Sequence, residues 1–288
     1  MIDRLFFLVM SQLTLGGFLL IKVVSLKDIG WGFFRLCGFL YLLTAFSIVW
    51  FFPFPPEVSL VSGQGVLSLI TSRWGWEFLL WGIFSLLLGA YNVGIWVERA
   101  RLSTLSFQLA IAVGIAALLL GAGAYSTASP FWNLPLLALN FLTSALSLGC
   151  VMTGMLLGHW YLVTPKLPVA PLRQMITLLL LSLTIQAGAI ALSIALSSDL
   201  LIPHVEGPGN LLLTTYRPIF LGRVLVGILG GLTIAFFARQ ALKNDTSHTA
   251  TQSATGLLFI AILLVMAGEV VARVLLLLTY KHGGAIPI

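Results

Sequence analysis

Glu269 and Arg273 stand four residues apart inside Leu263 to Tyr280, LLVMAGEVVARVLLLLTY, a run otherwise apolar enough to cross a bilayer. A charged side chain near the bilayer centre costs at least about 2.5–3.5 kcal/mol on insertion scales, so such residues are kept mainly where they are paired or used. The spacing puts both on one helix face, where they can pair with each other. Arg223, Glu77, Gln12 and Asn140 also fall inside or at the edge of long apolar runs. Two chemistries suit this set. One is a structural ion-pair network of Glu269, Arg273 and Arg223 that locks two helices together. The other is a quinone-type pocket, in which a carboxylate takes a proton as a quinol is oxidised and Arg or Gln hydrogen-bonds a ring oxygen.

The elements that must position these groups follow from composition. Only 8% of the 288 residues are charged and 59% are hydrophobic, with a mean hydropathy of +1.06. Soluble domains carry about a quarter of their residues as charges, so the chain reads as an all-α, multi-pass membrane protein. At about 20 apolar residues per crossing, eight spans are expected, near 5–24, 31–52, 76–98, 104–124, 136–162, 172–197, 218–241 and 255–279. Residues 1–24 lack a small-residue cleavage site and read as a retained first span. The Pro- and Gly-containing stretches Pro53 to Gly75 and Ser198 to Arg217 are expected to be irregular loops, and KNDTSHTATQSAT before the last span a solvated turn.

Connections one, three, five and seven carry nine Lys and Arg, and the opposite side with both termini carries four. The side richer in Lys and Arg faces the cytoplasm, so both termini are expected outside, in the plasma membrane of a bacterium. The net charge of +6 is therefore a topology signal, and no nucleic-acid pattern accompanies it. The chain divides into two four-helix halves, 1–128 and 129–288, each with its long outer loop between its second and third spans. The third spans open similarly, Thr71-Ser72-Arg73-Trp74 and Thr214-Thr215-Tyr216-Arg217, and belt residues collecting at interfacial helix starts account for this equally well.

Once oriented, Glu77, Arg223, Arg273, Glu269, Gln12 and Asn140 all fall at outer depths. Gly227 and Gly231 form a G-x-x-x-G expected to admit a neighbouring helix. Cys37 and Cys150 read as small buried thiols. His159 is the single His inside a span, so a bis-His haem site is not expected, and His159 is expected to hydrogen-bond within the bundle. No Walker A, H-E-x-x-H, C-x-x-C or Gly-rich dinucleotide pattern occurs. No metal, haem or iron–sulfur cluster is expected to be held by this chain.

These residues carry a resemblance. Ala267-Gly268-Glu269-Val270-Val271-Ala272-Arg273 resembles the A-G-E-x-x-G-R in the last helix of the membrane anchor subunits of dimethyl sulfoxide reductase and of the wider polysulfide and nitrite reductase anchor (NrfD-like) superfamily, with Ala272 in place of the usual Gly. Gln12 with Gly16-Gly17-Phe18 is similar to the Gln and Gly-Gly-Phe of that family's first helix, Arg223 to an Arg of its seventh, and Ser72 to Phe78 to its Ser-Asn-Glu segment. Here Trp76 stands before Glu77, where the family has Asn, and the preceding loop offers Glu57 where the family has His. The resemblance implies a quinone-interacting anchor of a respiratory oxidoreductase with menaquinone-type quinol as its bound substrate. Glu77 or Glu269 would be the proton acceptor, and Gln12, Trp76, Asn140, Arg223 and Arg273 the binding residues. It also implies two partners, a four-cluster ferredoxin-like iron–sulfur subunit on the outer face and a molybdopterin-type catalytic subunit. Two rival readings stand beside it: a small-solute transporter using the same charges as a coupling site, and a structural subunit of a larger electron-transfer complex. Without a continuous string of ionisable groups reaching the inner side, proton pumping is not expected.

Overall fold

A computed structural model describes residues 1–54, 72–126, 133–164, 167–196, 208–243 and 247–283. Eight helices are long and apolar enough to cross a membrane: Ile2–Val23, Trp31–Trp50, Arg73–Trp96, Ala100–Tyr125, Leu134–Val163, Ala170–Leu196, Arg217–Ala241 and His248–Tyr280. We refer to them as spans one to eight. No strand occurs among the described residues, as expected where lipid leaves helices to satisfy their own backbone groups. The chain is an all-α, multi-pass membrane protein. Two helix starts carry side-chain caps legible in the sequence: Ser72 Oγ accepts from Gly75 N at 3.0 Å to open span three, and Asn133 Oδ1 from Leu136 N at 3.0 Å to open span five. Phe39, Leu43, Phe46 and Trp50 of span two are exposed, the pattern of a lipid-facing stripe.

Packing runs around each half in chain order. Spans one, two, three and four touch as successive neighbours, with span four returning to span one; spans five, six, seven and eight do the same, with span eight returning to span five. The halves join mainly through spans one and five, and one continuous core of buried residues draws on both. Small residues make the joint. A side chain on Gly16 would run into the Ala145 carbonyl, and one on Gly149 into the backbone of Gly16 and Gly17. Close backbone approach of this kind is how membrane helices gain packing where lipid removes the hydrophobic drive.

The same joint carries a polar tie. The Tyr41 hydroxyl and Thr153 Oγ1 lie 2.7 Å apart, and Thr153 Oγ1 donates to Gly17 O at 3.2 Å, linking spans one, two and five. Interhelical hydrogen bonds in membranes contribute about 0.6 kcal/mol each on average. Thr153→Val should therefore lower unfolding free energy by about 1 kcal/mol, measured by denaturation in mixed micelles. An unchanged midpoint would remove the tie from the account of stability.

Two segments depart from expectation. Span eight begins at His248 rather than near residue 255, so most of the expected turn is helix. Ser247 Oγ accepts from Ala250 N at 3.2 Å, Ala250, Thr251, Ala254 and Thr255 are buried, and Thr255 packs over Gly158 of span five. Hydroxyls there return their protons to the helix's own carbonyls, as Thr255 does to Thr251 O at 2.7 Å, so a polar sequence becomes a packed helix. The second departure is a short helix, Pro208–Leu213, within the expected loop before span seven. Leu212 is buried beside Phe220 and Leu275 in a small outer core. Pro53 and Phe54 are described, while Pro55 to Thr71, with Glu57, lie outside the described residues, as do Pro165 and Lys166. The openings of spans three and seven also differ locally, since Ser72 caps span three and Tyr216 gives span seven no side-chain cap.

Candidate functional site

Span seven is not a uniform α-helix. Its residues Arg223–Gly230 form a π-helical segment between α-helical Arg217–Gly222 and Gly231–Ala241. Such wide turns are rare and recur at functional sites. Within it, Gly227 packs backbone to backbone against Gly268 of span eight, and a side chain on either would strike the other. This contact places Arg223 on span eight, where its Nη1 donates to Gly268 O at 3.0 Å. The G-x-x-x-G thus admits a neighbouring helix through Gly227, while Gly231 faces Leu183 and Val265.

Glu269 lies one residue on, at the centre of a buried polar cluster. Its Oε2 is 3.4 Å from Arg273 Nη2 and 3.8 Å from Arg223 Nη1. Its Oε1 accepts from Gln186 Nε2 of span six at 2.8 Å. Arg273 Nη2 also donates to Ser144 Oγ at 2.6 Å and Asn140 Oδ1 at 3.3 Å, both on span five, and its guanidinium lies 4.4 Å from the Phe141 ring centroid. Glu269, Arg273, Arg223, Gln186 and Ser144 are all buried. One carboxylate against two guanidiniums leaves the cluster with an excess positive charge.

Beside the cluster lies a pocket of about 40 Å³ walled by spans five to eight and the short helix Pro208–Leu213. Leu137, Leu212, Phe220 and Ala272 supply apolar wall, and Asn140, Arg223 and Arg273 the polar contribution. Arg223 Nη2 and Arg273 Nε have no hydrogen-bond partner among the described residues. An apolar pocket with a few convergent polar groups is the usual form of a small-molecule site. As it stands the pocket holds a few waters. Orphaned guanidinium N–H groups at an apolar wall fit a ligand that brings oxygen acceptors on a flat apolar body.

Of the seven residues singled out from sequence, Asn140, Arg223, Glu269 and Arg273 meet in this cluster. Gln12 does not join its hydrogen bonds. It lies one turn before Gly16 on span one, as Phe141 lies one turn before Ala145 on span five, so the Gly16–Ala145 contact puts Gln12 at the level of the Phe141 ring under Arg273. Gln12 is fully buried, and neither its Oε1 nor its Nε2 has a partner among the described residues. Glu77 sits in the other half, buried against Gly121 of span four, with Oε2 unpartnered. A side chain on Gly121 would occupy the space its carboxylate takes. Tyr125 lies within Coulombic reach of both Glu77 and Arg273, and its ring packs edge-on against Tyr280 with centroids 5.4 Å apart. Trp76 is 52% exposed and does not line the pocket.

His159 is exposed and makes no hydrogen bond among the described residues, contrary to the expectation that it bonds within the bundle. At the inner end of span five its ring turns outward while Gly158 takes the close contact with Thr255. Cys37 and Cys150 are free and buried. Gln186, Ser144 and Phe141 were not singled out from sequence. Gln186 carried a usable signal, being the one amide or ionisable residue between positions 175 and 196; Ser144 and Phe141 carried none, since Ser and Phe are ordinary in such helices.

No family model matches the chain, and no curated protein matches it.

Proposed function

We propose that this protein is a quinone-interacting membrane subunit of a respiratory oxidoreductase, with the quinol headgroup bound in the pocket between spans five and eight. The observation that carries this reading is the pair of buried arginines, each with an unpartnered N–H, at the wall of an otherwise apolar pocket. Arg223 and Arg273 hydrogen-bond the ring oxygens, and Asn140, half-buried at the same wall, orients the ring's edge. Glu269, with both oxygens engaged, holds the two guanidiniums in place. Glu77 lies outside the pocket, in the other half of the bundle, but its Oε2 has no partner among the described residues, which makes it the carboxylate available as base, and Tyr125 stands within Coulombic reach of both Glu77 and Arg273. A bound quinol supplies two electrons and two protons. In this reading, as the resemblance to the dimethyl sulfoxide and polysulfide reductase anchors implies, electrons pass to an iron–sulfur subunit on the outer face and on to a molybdopterin-type catalytic subunit. The membrane would be the bacterial plasma membrane, with both termini outside.

The excess positive charge of the cluster favours one rival, a site for a small carboxylate solute. Saturable quenching of tryptophan fluorescence by a short-chain naphthoquinone, with the purified chain in nanodiscs, separates the two. Arg223→Gln should weaken naphthoquinone binding about tenfold or more, since hydrogen bonds from charged donors contribute about 1.5–3 kcal/mol. Binding of a dicarboxylate in place of the quinone would transfer the pocket to transport, and binding of neither would leave the cluster a structural lock.

A further inference from the structure

On the side of the bundle that carries most of the Lys and Arg, spans six and seven diverge around a groove of about 320 Å³. Its floor is Leu180 and the half-exposed Phe236, and its rim is Arg173, Arg239, Gln240 and Lys243. Arg239 lies in the last turn of span seven, one turn beyond Phe236, and Lys243 follows just past the helix end at Ala241. Arg173 is held across the gap by donating Nη2 to Leu242 O, the backbone at the end of span seven, while its Nε has no partner. None of the three cations forms an ion pair among the described residues. The same Arg173 also borders a second groove of about 690 Å³, where Lys22 and Gln174 add further donors.

We propose that the span six–seven groove is a specific site for an anionic phospholipid, whose phosphodiester sits among Arg173, Arg239 and Lys243 while an acyl chain runs along Leu180 and Phe236. Charge complementarity selects the occupant: three cations without a carboxylate partner among the described residues attract a single anionic oxygen cluster, and the apolar floor beside them suits a ligand with an attached hydrocarbon chain. Basic pockets between membrane helices bind anionic headgroups in this manner. Gln240 adds a neutral donor for the glycerol or phosphate oxygens. The lipid would bridge spans six and seven from the side opposite the Glu269 cluster, and this inference does not depend on the quinol reading.

Native mass spectrometry of the purified full chain, titrated with phosphatidylglycerol or with phosphatidylcholine, tests the site. Wild type should retain phosphatidylglycerol in preference to phosphatidylcholine. Each basic residue near a membrane surface contributes about a fivefold factor in affinity for anionic lipid. The double variant Arg239→Gln/Lys243→Gln should therefore bind phosphatidylglycerol about twenty-five-fold more weakly, and Arg101→Gln, exposed on the same side away from the groove, should bind like wild type. Both variant positions are exposed, and a thermal unfolding midpoint in lipid-free detergent equal to wild type checks that the fold is intact. Lys243→Arg with Arg239 retained should preserve binding. Equal retention of both lipids, undiminished binding by the double variant, or displacement of the lipid by glycerol phosphate alone would overturn the proposal, the last result reassigning the groove to a soluble phosphate ester.

Discussion

Replacing Glu269 by alanine should lower the unfolding free energy by about 3–5 kcal/mol, the usual cost of removing one partner from a buried ion pair. Arg223 and Arg273, 4% and 1% exposed, would then face each other's charge with no compensating carboxylate. Gln186 Nε2 would lose one acceptor and keep Ser144 Oγ at 2.8 Å. Glu269→Gln should cost less, because it keeps the shape and an acceptor for Arg273. The informative comparison is the triple variant Glu269→Leu/Arg223→Met/Arg273→Met. Buried ionic clusters replaced together by apolar residues of similar volume are often as stable as before, or more so by about 1–4 kcal/mol. Recovery of stability in the triple variant, with quinone binding abolished, would mean that the charges are kept for a ligand. Failure to recover would mean that the cluster specifies how spans five to eight dock, since Arg273 also bonds Asn140 and Ser144 and lies on Phe141. Denaturation midpoints of the four proteins in one detergent decide between these outcomes.

How far the sequence reached depended on which signal a residue carried. Eight spans could be read because hydropathy is a property of twenty-residue windows and lipid leaves helices few alternatives. Span eight's early start was hidden because Thr, Ser and His between Ser247 and Thr255 look polar one by one. Their hydroxyls bond inward to the helix, and one face packs on Gly158. Arg223 and Glu269 were legible as isolated charges in apolar runs. Their pairing was one of the two readings, and the G-x-x-x-G announced a close helix at Gly227; the π-helical turn of span seven, which sets Arg223 against span eight, has no local signature strong enough to read. Common depth, the argument that grouped Gln12 and Glu77 with the others, specifies height in the membrane and not azimuth. Glu77 illustrates the limit: it was grouped with the others by depth, yet it faces Gly121 on span four, in the other half of the bundle.

Gln12 and Glu77 lead to the second large prediction. Both are buried, and Gln12 Oε1 and Nε2 and Glu77 Oε2 have no hydrogen-bond partner among the described residues. A buried polar group without a partner costs about 1–3 kcal/mol, and an apolar replacement of the same shape can recover it. Methionine matches the length of both side chains and adapts to irregular space, which matters for Glu77 because its carboxylate fills the room over Gly121. Gln12→Met and Glu77→Met should each stabilise the fold by about 1–3 kcal/mol, and the double variant by about the sum, if the two sites are independent. Stabilisation accompanied by loss of the proposed quinol-driven electron delivery to an iron–sulfur partner would show that these groups are kept at a cost to stability because function needs them. The two should then separate by role. Glu77→Met should stop turnover and leave naphthoquinone affinity unchanged, as expected of a proton acceptor outside the pocket, whereas Gln12→Met, at the level of Arg273, should change affinity as well. Destabilisation by either variant would mean that internal water bridges the side chain to the bundle, and its polar group would then belong to the structural account instead.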